Sequence, residues 1–338
     1  MAAEMAEQPD VLARLLARAP ADAERVARVL PSPLAGTVFL ARGSSDNAAV
    51  FGRYLAELSA GRPAGLAAPS LCTRYHADVD WRGYLLVALS QSGATPEVVS
   101  TCASARSAGA AVIGITNEPD SPLAGVADLL LPTEAGPERA IPATKTVTGQ
   151  FALLATVAGA LGARAGRGRP SATGDAAAGA ALATLPGAVA TALADPGPAR
   201  ELARRWRDID RLVVAGRGLG YAAALETALK VAETTGVLAT GMSTADLHHG
   251  PIAAVYGGAR VLLIDGTGPA DADLAGLREL LTSRGGQTAT LPVHPGLAEA
   301  AQVITAVVRG QQLAFELASL RGTDPDAPAH LTKVTATT

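Results

Sequence analysis

The clearest indication of how this chain folds is the sequence Leu89-Ser90-Gln91-Ser92-Gly93-Ala94-Thr95. It follows the apolar run Tyr84 to Ala88 and precedes a helix-like stretch from Pro96 to Ala108. An apolar run that stops at a Ser-Gly turn and continues as a helix indicates a buried parallel strand, a tight turn and a helix start. The free N–H groups of the first helical turn, the helix dipole and the serine and threonine hydroxyls would bind an anion of phosphate size. The alternative is an ordinary helix in which Ser90 or Ser92 is only the N-cap.

Strands alternate with helices on both sides of this turn. Short apolar strands are predicted at 38–40, 84–88, 111–115 and 129–131, and again at 212–215, 260–264 and 288–291. This pattern predicts an α/β protein made of two tandem units, each a parallel sheet flanked by helices in a flavodoxin-like three-layer αβα arrangement. The predicted divisions are a helical lead-in at 1–30, a first domain at 31–165, a linker at 166–195, a second domain at 196–320 and a tail at 321–338.

Composition excludes several classes of function. Hydrophobic residues make up 49% of the chain and charged residues 17%, and the net charge of −3 provides no basic field for nucleic acid. No apolar run approaches the roughly 20 residues of a membrane span, and the N-terminus has no signal-peptide pattern. Two cysteines fit a reducing compartment. We therefore expect a cytoplasmic protein with no nucleic-acid or membrane partner, no metal and no cofactor.

Two further patterns carry chemistry. Gly43-Ser44-Ser45 is a second hydroxyl-bearing turn at a strand end, so its serines face the same anion or simply cap the next helix. Glu226 and Glu233 lie seven residues apart on one helix, which places both carboxylates on one face, and Lys230 lies between them. A solvated Glu–Lys pair is the alternative, but the surrounding alanines and leucines favour a buried helix.

The second unit differs chemically from the first. At the place of the Ser-Gln-Ser-Gly turn it has Asp265-Gly266-Thr267-Gly268, whose carboxylate would repel phosphate, so we expect one phosphate site, in the first domain. His248 and His249 are adjacent and point in different directions, which disfavours a shared metal; one of them is a proton carrier or a hydrogen-bonded loop residue. For Lys333, in the tail, physical reasoning alone favours solvation over a role at a pocket.

Several motifs in the same order resemble the tandem sugar isomerase (SIS) domains of glucosamine-6-phosphate synthase and of related aminosugar-6-phosphate deaminases. The resemblance covers nearly the whole chain from about residue 20. The motifs are Gly43-Ser44-Ser45, Ser90-Gln91-Ser92-Gly93-Ala94-Thr95, Glu138 to Lys145 with Thr144-Lys145-Thr146, Ala224 to Lys230, Glu233, His249-Gly250-Pro251 and Leu331 to Thr335.

The resemblance implies a role for each matching residue. Residues that hold the sugar 6-phosphate would be Ser44, Ser45, Ser90, Gln91, Ser92 and Thr95, and the backbone of Ile141 and Ala143 would contact the sugar. Glu233 would move the proton between C1 and C2, with Glu226 as a second carboxylate. His249 would open the sugar ring from the neighbouring subunit of a homodimer. Lys333 would form a Schiff base, with the tail closing the active site.

The same resemblance leaves three functions open. The leading expectation is a deaminase/isomerase that converts glucosamine 6-phosphate to fructose 6-phosphate and ammonia, since the chain begins Met-Ala-Ala without the cysteine of a glutaminase domain. If the amine is acetylated, loss of the C2 proton would instead expel the C3 hydroxyl, as in a dehydratase acting on N-acetylglucosamine 6-phosphate. A phosphosugar-binding regulator without turnover is the third possibility, although no basic helix-turn-helix segment precedes Gly36.

Overall fold

The computed structural model describes residues 1–166, 182–256, 258–266, 268–294 and 296–333. Two units emerge from the contacts among these residues. Residues 10–137 and 149–166 form the five-stranded unit, and residues 1–9, 138–148 and 182–333 form the four-stranded unit. This division differs from the predicted domain boundaries, because two early segments group with the second sheet. Parts of the predicted linker and tail, 167–181 and 334–338, lie outside the described residues.

The elements alternate along the chain as the sequence pattern predicts. The strands are β1 Gly36–Leu40, β2 Ala64–Leu66, β3 Tyr84–Leu89, β4 Ala111–Thr116, β5 Leu129–Pro132, β6 Arg211–Gly216, β7 Leu238–Ser243, β8 Arg260–Leu263 and β9 Thr288–Thr290. The helices are α1 Ala2–Ala6, α2 Gln8–Val29, α3 Ser44–Ala60, α4 Ser70–Thr73, α5 Pro96–Ser107, α6 Pro122–Val126, α7 Lys145–Arg164, α8 Leu185–Ala194, α9 Gly197–Arg205, α10 Gly220–Thr235, α11 Thr244–His248, α12 Ile252–Tyr256, α13 Asp271–Ser283 and α14 Glu299–Arg321.

The sheet of the five-stranded unit is parallel, in the order β2-β1-β3-β4-β5. Leu40 of β1 pairs with Ala88 of β3, and Leu86 of β3 pairs with Val112 of β4. Their side chains pack with Val98 and other residues of α5 into one buried cluster. The order reverses between β1 and β3, and ligands of open parallel sheets bind outside the carboxyl ends of strands at such a point. Both hydroxyl-bearing turns of this unit follow these two strands.

The four-stranded unit repeats this plan. Its strands are parallel and lie in the order β7-β6-β8-β9, so the first strand again lies between the second and the third. Val213 of β6 pairs with Val261 of β8, and Leu277 and Leu281 of α13 pack against the same face. The prediction of two α/β units with parallel sheets flanked by helices is confirmed.

The predicted helical lead-in at 1–30 consists of two helices. Helix α1 ends at Ala6, Glu7 is its C-cap, and α2 begins at Gln8. Pro9 explains the break, because proline lacks the N–H that a continuous helix would use and fits best in a first turn.

Among the described helices, α7 is long and apolar enough to cross a membrane by length and composition alone, with a mean hydropathy of 1.4. However, 83% of that apolar window is buried within the protein, as in the core helix of a globular domain. The absence of a membrane partner therefore stays a prediction.

Candidate active site

The hydroxyl groups of the turn after β3 form hydrogen bonds within the turn itself. The Ser90 hydroxyl accepts a hydrogen bond from the Gly93 amide at 3.1 Å and lies 3.2 Å from the Thr95 hydroxyl. Thr95, and neither serine, is the N-cap of α5, and its side chain makes no capping bond there. The Ser92 hydroxyl accepts from the Ala94 amide at 3.3 Å. Within the first turn of α5, Pro96 has no N–H, and the Val98 and Val99 amides donate to the Thr95 carbonyl at 3.1 Å and 3.0 Å. An anion at this turn would therefore be bound mainly by the hydroxyl groups.

Gly93 is required in this turn for two reasons. Its φ is +59°, a backbone conformation that costs a side chain energy. A Cβ there would also lie 2.1 Å from the Ser121 hydroxyl oxygen. Gln91 is fixed by the neighbouring strand, because its carbonyl accepts from the Asn117 amide at 3.0 Å. The turn thus has a single close-packed conformation.

The turn after β1 lies at the same edge of the sheet. Helix α3 begins at Ser44, after Gly43 with a φ of +60°. Ser45 is buried, and its hydroxyl accepts a hydrogen bond from the side-chain amide of Gln150, Nε2, at 3.0 Å. Ser44 is half-buried. Both turns proposed for phosphate thus follow β1 and β3, at the reversal of strand order.

Helix α10 carries a buried ion cluster in the four-stranded unit. The side chains of Glu226 and Lys230 are 0% and 1% exposed, whereas Glu233 is 23% exposed. The Lys230 ammonium lies 3.6 Å from Glu226 Oε1 and forms a short ion pair with Glu233 Oε2. Burial would lower the pKa of Lys230, but the two glutamates outweigh burial and raise it. One carboxylate of the pair is therefore sealed, and the other is open to a ligand.

Glu138 is a functional candidate to which the sequence reasoning gave no role. Its side chain is 0% exposed and accepts from the Thr144 amide at 2.9 Å, the Thr146 amide at 3.1 Å and the Thr146 hydroxyl at 2.6 Å. Lys333 donates to its Oε2 at 3.1 Å. Burial would raise the pKa of Glu138, but the Lys333 ammonium and these hydrogen bonds hold it below its usual range. The motif around Thr144 was the available signal.

The contact with Glu138 also fixes the tail lysine, for which physical reasoning favoured solvation. Lys333 Nζ donates to the Ala140 carbonyl at 2.6 Å, and its side chain is 25% exposed. The Ile141 amide in turn donates to the Asp326 carbonyl at 2.9 Å. Lys333 therefore lies against residues 138–141, a segment that includes one of the two predicted sugar-contacting positions; the other, Ala143, is half-buried nearby in sequence.

The model of the SIS domain family matches residues 37–160 and 207–296 of this chain. These two segments contain the five-stranded and four-stranded sheets respectively, and together they cover more than half of the sequence. The chain belongs to the SIS domain family. The family expected from the motifs is confirmed.

Relatives of this SIS protein include enzymes of amino-sugar metabolism. It is 32% identical to the glutamine–fructose-6-phosphate aminotransferase (isomerizing) of Pyrococcus horikoshii, with 98% of this chain and 57% of that protein aligned. The chain thus spans little more than half the length of that relative. A solved structure described as a candidate phosphosugar isomerase from Silicibacter pomeroyi is 31% identical with a TM-score of 0.86, covering 96% of this chain and 99% of that one. Glucosamine-6-phosphate deaminase from Thermotoga maritima shares the fold, with a TM-score of 0.78 at 23% identity.

The corresponding turn of the second SIS domain is filled by its own side chains. Both carboxylate oxygens of Asp265 accept from Arg278 at 2.7 Å. The cavity between this turn, Arg217 and Gln302 has a volume of about 20 Å³, which is about the room of one water molecule. The expectation of a single phosphate site stays a prediction.

Three of the five histidines of the SIS chain lie in or next to the segments that the motifs single out. His249 is exposed and follows α11, with its amide donating to the Asp246 carbonyl at 3.1 Å; His248 is the last residue of that helix and is exposed as well. His330, which the sequence reasoning did not select, lines a cavity of about 750 Å³ together with Glu233. His330 has a φ of +67°, and no pattern in the sequence indicates that backbone conformation.

Proposed function

We propose that this SIS protein is an aminosugar-6-phosphate deaminase/isomerase that converts glucosamine 6-phosphate and water to fructose 6-phosphate and ammonia. One observation supports this reaction best. The buried ammonium of Lys230 lies between a sealed carboxylate, Glu226, and a partly open one, Glu233. A carboxylate held in this way is suited to moving a carbon-bound proton, which is the central step of aldose–ketose chemistry.

The proposal assigns the phosphate to the turns at Ser44–Ser45 and Ser90–Thr95. Hydroxyl and amide donors there would hold the phosphoryl group and orient the open-chain sugar. Ile141 and Ala143 are assigned to the sugar through their backbone. Lys333 is assigned to the carbonyl end of the substrate, as an amine that can form a Schiff base with a ketose.

The proposed reaction begins with the open-chain aldehyde of glucosamine 6-phosphate. Glu233 removes the C2 proton, the electron pair of that bond forms a C1=C2 double bond, and the electrons of the C1 carbonyl move to O1, which takes up a proton. The product of this step is an enol with the amine on C2. A proton is then added to C1 and one is lost from the nitrogen, which gives an imine at C2 and a hydroxyl group at C1. Water adds to the imine carbon, and ammonia leaves, so that fructose 6-phosphate remains. Lys230 balances the negative charge of Glu233 before the C2 proton is removed and again after Glu233 has given that proton up.

The decisive experiment offers the purified chain glucosamine 6-phosphate in D₂O. We expect ammonia and fructose 6-phosphate, measured by coupled enzyme assays. We also expect deuterium at C1 of the product and at C2 of the remaining substrate, measured by NMR. Glu233→Gln should abolish both the products and the exchange at C2. Glu279→Gln is a matched control, because Glu279 is an exposed glutamate on α13, and it should react like the wild type.

The same assay separates the other functions. N-acetylglucosamine 6-phosphate is supplied in parallel, and new ultraviolet absorbance from a 2,3-unsaturated product would replace the deaminase with a dehydratase. Binding of hexose 6-phosphates without exchange or product, even at high protein concentration, would contradict catalysis and indicate a regulator.

The proposal includes a cytoplasmic homodimer in which His249 opens the sugar ring in the partner's site. The exposure of His249 supports donation to a neighbouring subunit. The test mixes inactive Glu233→Gln and His249→Asn chains in equal amounts after dissociation. Shared sites predict recovery of about a quarter of the wild-type activity, because half of the random dimers carry one intact site. No recovery would contradict the exchange of histidines.

A further inference from the structure

Arg42 occupies the position in the five-stranded unit where a ligand is expected. Arg42 lies two residues after Leu40, the last residue of β1. Leu40 pairs with Ala88 of β3, and Ser90 lies two residues after Ala88. Neighbouring parallel strands lie about 4.8 Å apart. Arg42 therefore lies at the reversal of strand order, beside the turn that begins at Ser90.

A contact across the two turns fixes this guanidinium. Arg42 Nη2 and Nε donate to Glu97 Oε2 at 2.9 Å and 3.1 Å. Glu97 is in the first turn of α5 and is 8% exposed, whereas the Arg42 side chain is 43% exposed. Both donors share one carboxylate oxygen. A guanidinium has five N–H groups, so it can bind Glu97 and also offer donors to a second anion.

The local charges make this cation significant. Arg42 is the only lysine or arginine in the strand-end segments 41–45, 90–96 and 117–121. Asp46, in the first turn of α3, adds a second carboxylate whose charge interacts with Arg42; burial raises the pKa of Asp46, and Arg42 opposes that rise. A phosphate dianion would meet these carboxylates with only neutral hydroxyls and amides in its favour if Arg42 were absent.

We infer that Arg42 is a phosphate-binding residue of this site and gives it selectivity for the charged phosphoryl group. The inference rests on the proposed function, in which the substrate is a hexose 6-phosphate. Guanidinium–phosphate hydrogen bonds are charge-assisted, shorter and stronger than hydroxyl–phosphate bonds. Glu97 holds the side chain in place and leaves the remaining donors directed away from its own oxygen.

The test measures the dissociation constant of fructose 6-phosphate by calorimetry. Arg42→Met should weaken binding by roughly tenfold or more, the range for loss of a charge-assisted hydrogen bond, and Arg42→Lys should recover part of the loss. Added salt should weaken wild-type binding more than that of Arg42→Met. Unphosphorylated fructose should bind both proteins equally weakly. The melting temperature of Arg42→Met should fall by several degrees, because the Glu97 carboxylate that it leaves behind is 8% exposed, so binding is measured well below the unfolding transition.

Two control variants separate binding from a structural role. Arg106→Met removes the same charge from the last turn of α5, where Arg106 pairs with Asp128 at 2.8 Å, and should leave the dissociation constant unchanged within twofold. Glu97→Gln breaks the ion pair, but its amide still accepts a hydrogen bond from Arg42, so binding should change no more than about threefold.

The possible results are distinct. If Glu97→Gln weakens binding as much as Arg42→Met does, the pair is structural and the inference is wrong. If Arg42→Met binds fructose 6-phosphate like the wild type, the inference is wrong while the proposed function stands. If the wild type binds no hexose 6-phosphate, the proposed function and the inference fall together.

Discussion

Replacing Lys230 by methionine tests the buried ion cluster on α10. The change removes the ammonium and leaves the Glu226 carboxylate, which is 0% exposed, without its cation. Breaking a buried ion pair on one side costs about 3–5 kcal/mol. The four-stranded unit has about 170 described residues, and unfolding gains about 2.1 cal/mol/K per residue. If this unit unfolds by itself, the expected decrease in its melting temperature is about 8–14 °C.

The assay is calorimetric unfolding of the wild type, of each single variant and of the double variant Glu226→Gln/Lys230→Met. Because the double variant buries two neutral side chains, it should regain most of the stability that Lys230→Met loses. Lys145→Met is the matched control. Lys145 is 1% exposed, but its partner Glu7 is 52% exposed and can be hydrated, so the loss should be smaller. A cost below about 1 kcal/mol for Lys230→Met, or additive losses in the double variant, would refute the reasoning.

Three further predictions follow from other features of the chain. Gly93→Ala should displace the turn after β3, because its Cβ would lie 2.1 Å from the Ser121 hydroxyl oxygen, and weaken fructose 6-phosphate binding at least about tenfold by calorimetry. Glu138→Gln should destabilise the protein at neutral pH. The pKa of Glu138 is lower in the folded state, so its contribution is present above the unfolded value of about 4.3 and is lost as pH falls through the folded value; melting curves from pH 7 to 3 should show the two proteins converge. A thiol reagent should modify Cys72 in the native protein but not buried Cys102, whose pKa burial raises to about 12, until the protein unfolds.

The sequence predicted every central strand and two of the four outer ones, β5 and β9. The residues of the runs 85–88 and 212–215 are buried on both faces of their sheets. A continuous apolar run in the sequence is typical of strands buried in this way. Strands β2 and β7 were missed. Ala64–Leu66 has three residues, and Leu238–Ser243 contains Gly241 and begins at a leucine that is 70% exposed. Edge strands have one free side and carry a weaker pattern.

The site could be predicted only where it depends on local geometry. The helical period placed Glu226 and Glu233 on one face, and the structure gives both an ion pair with the same lysine. The contact between Lys333 and Glu138 joins residues 195 positions apart, and no periodicity reports a pairing of that kind. Arg42 was passed over because a single arginine in a turn has no pattern of its own.

The short outer strands of both sheets affect how copies of this chain behave at high concentration. β2 and β9 have three residues each, and β5 has four and ends at Pro132. Such edges offer few unpaired N–H and C=O groups to a strand from another molecule. β7 has six residues, and its first side chain, Leu238, faces solvent. Among the sheet edges in the described part of the chain, aggregation through added β-strands would therefore start at β7.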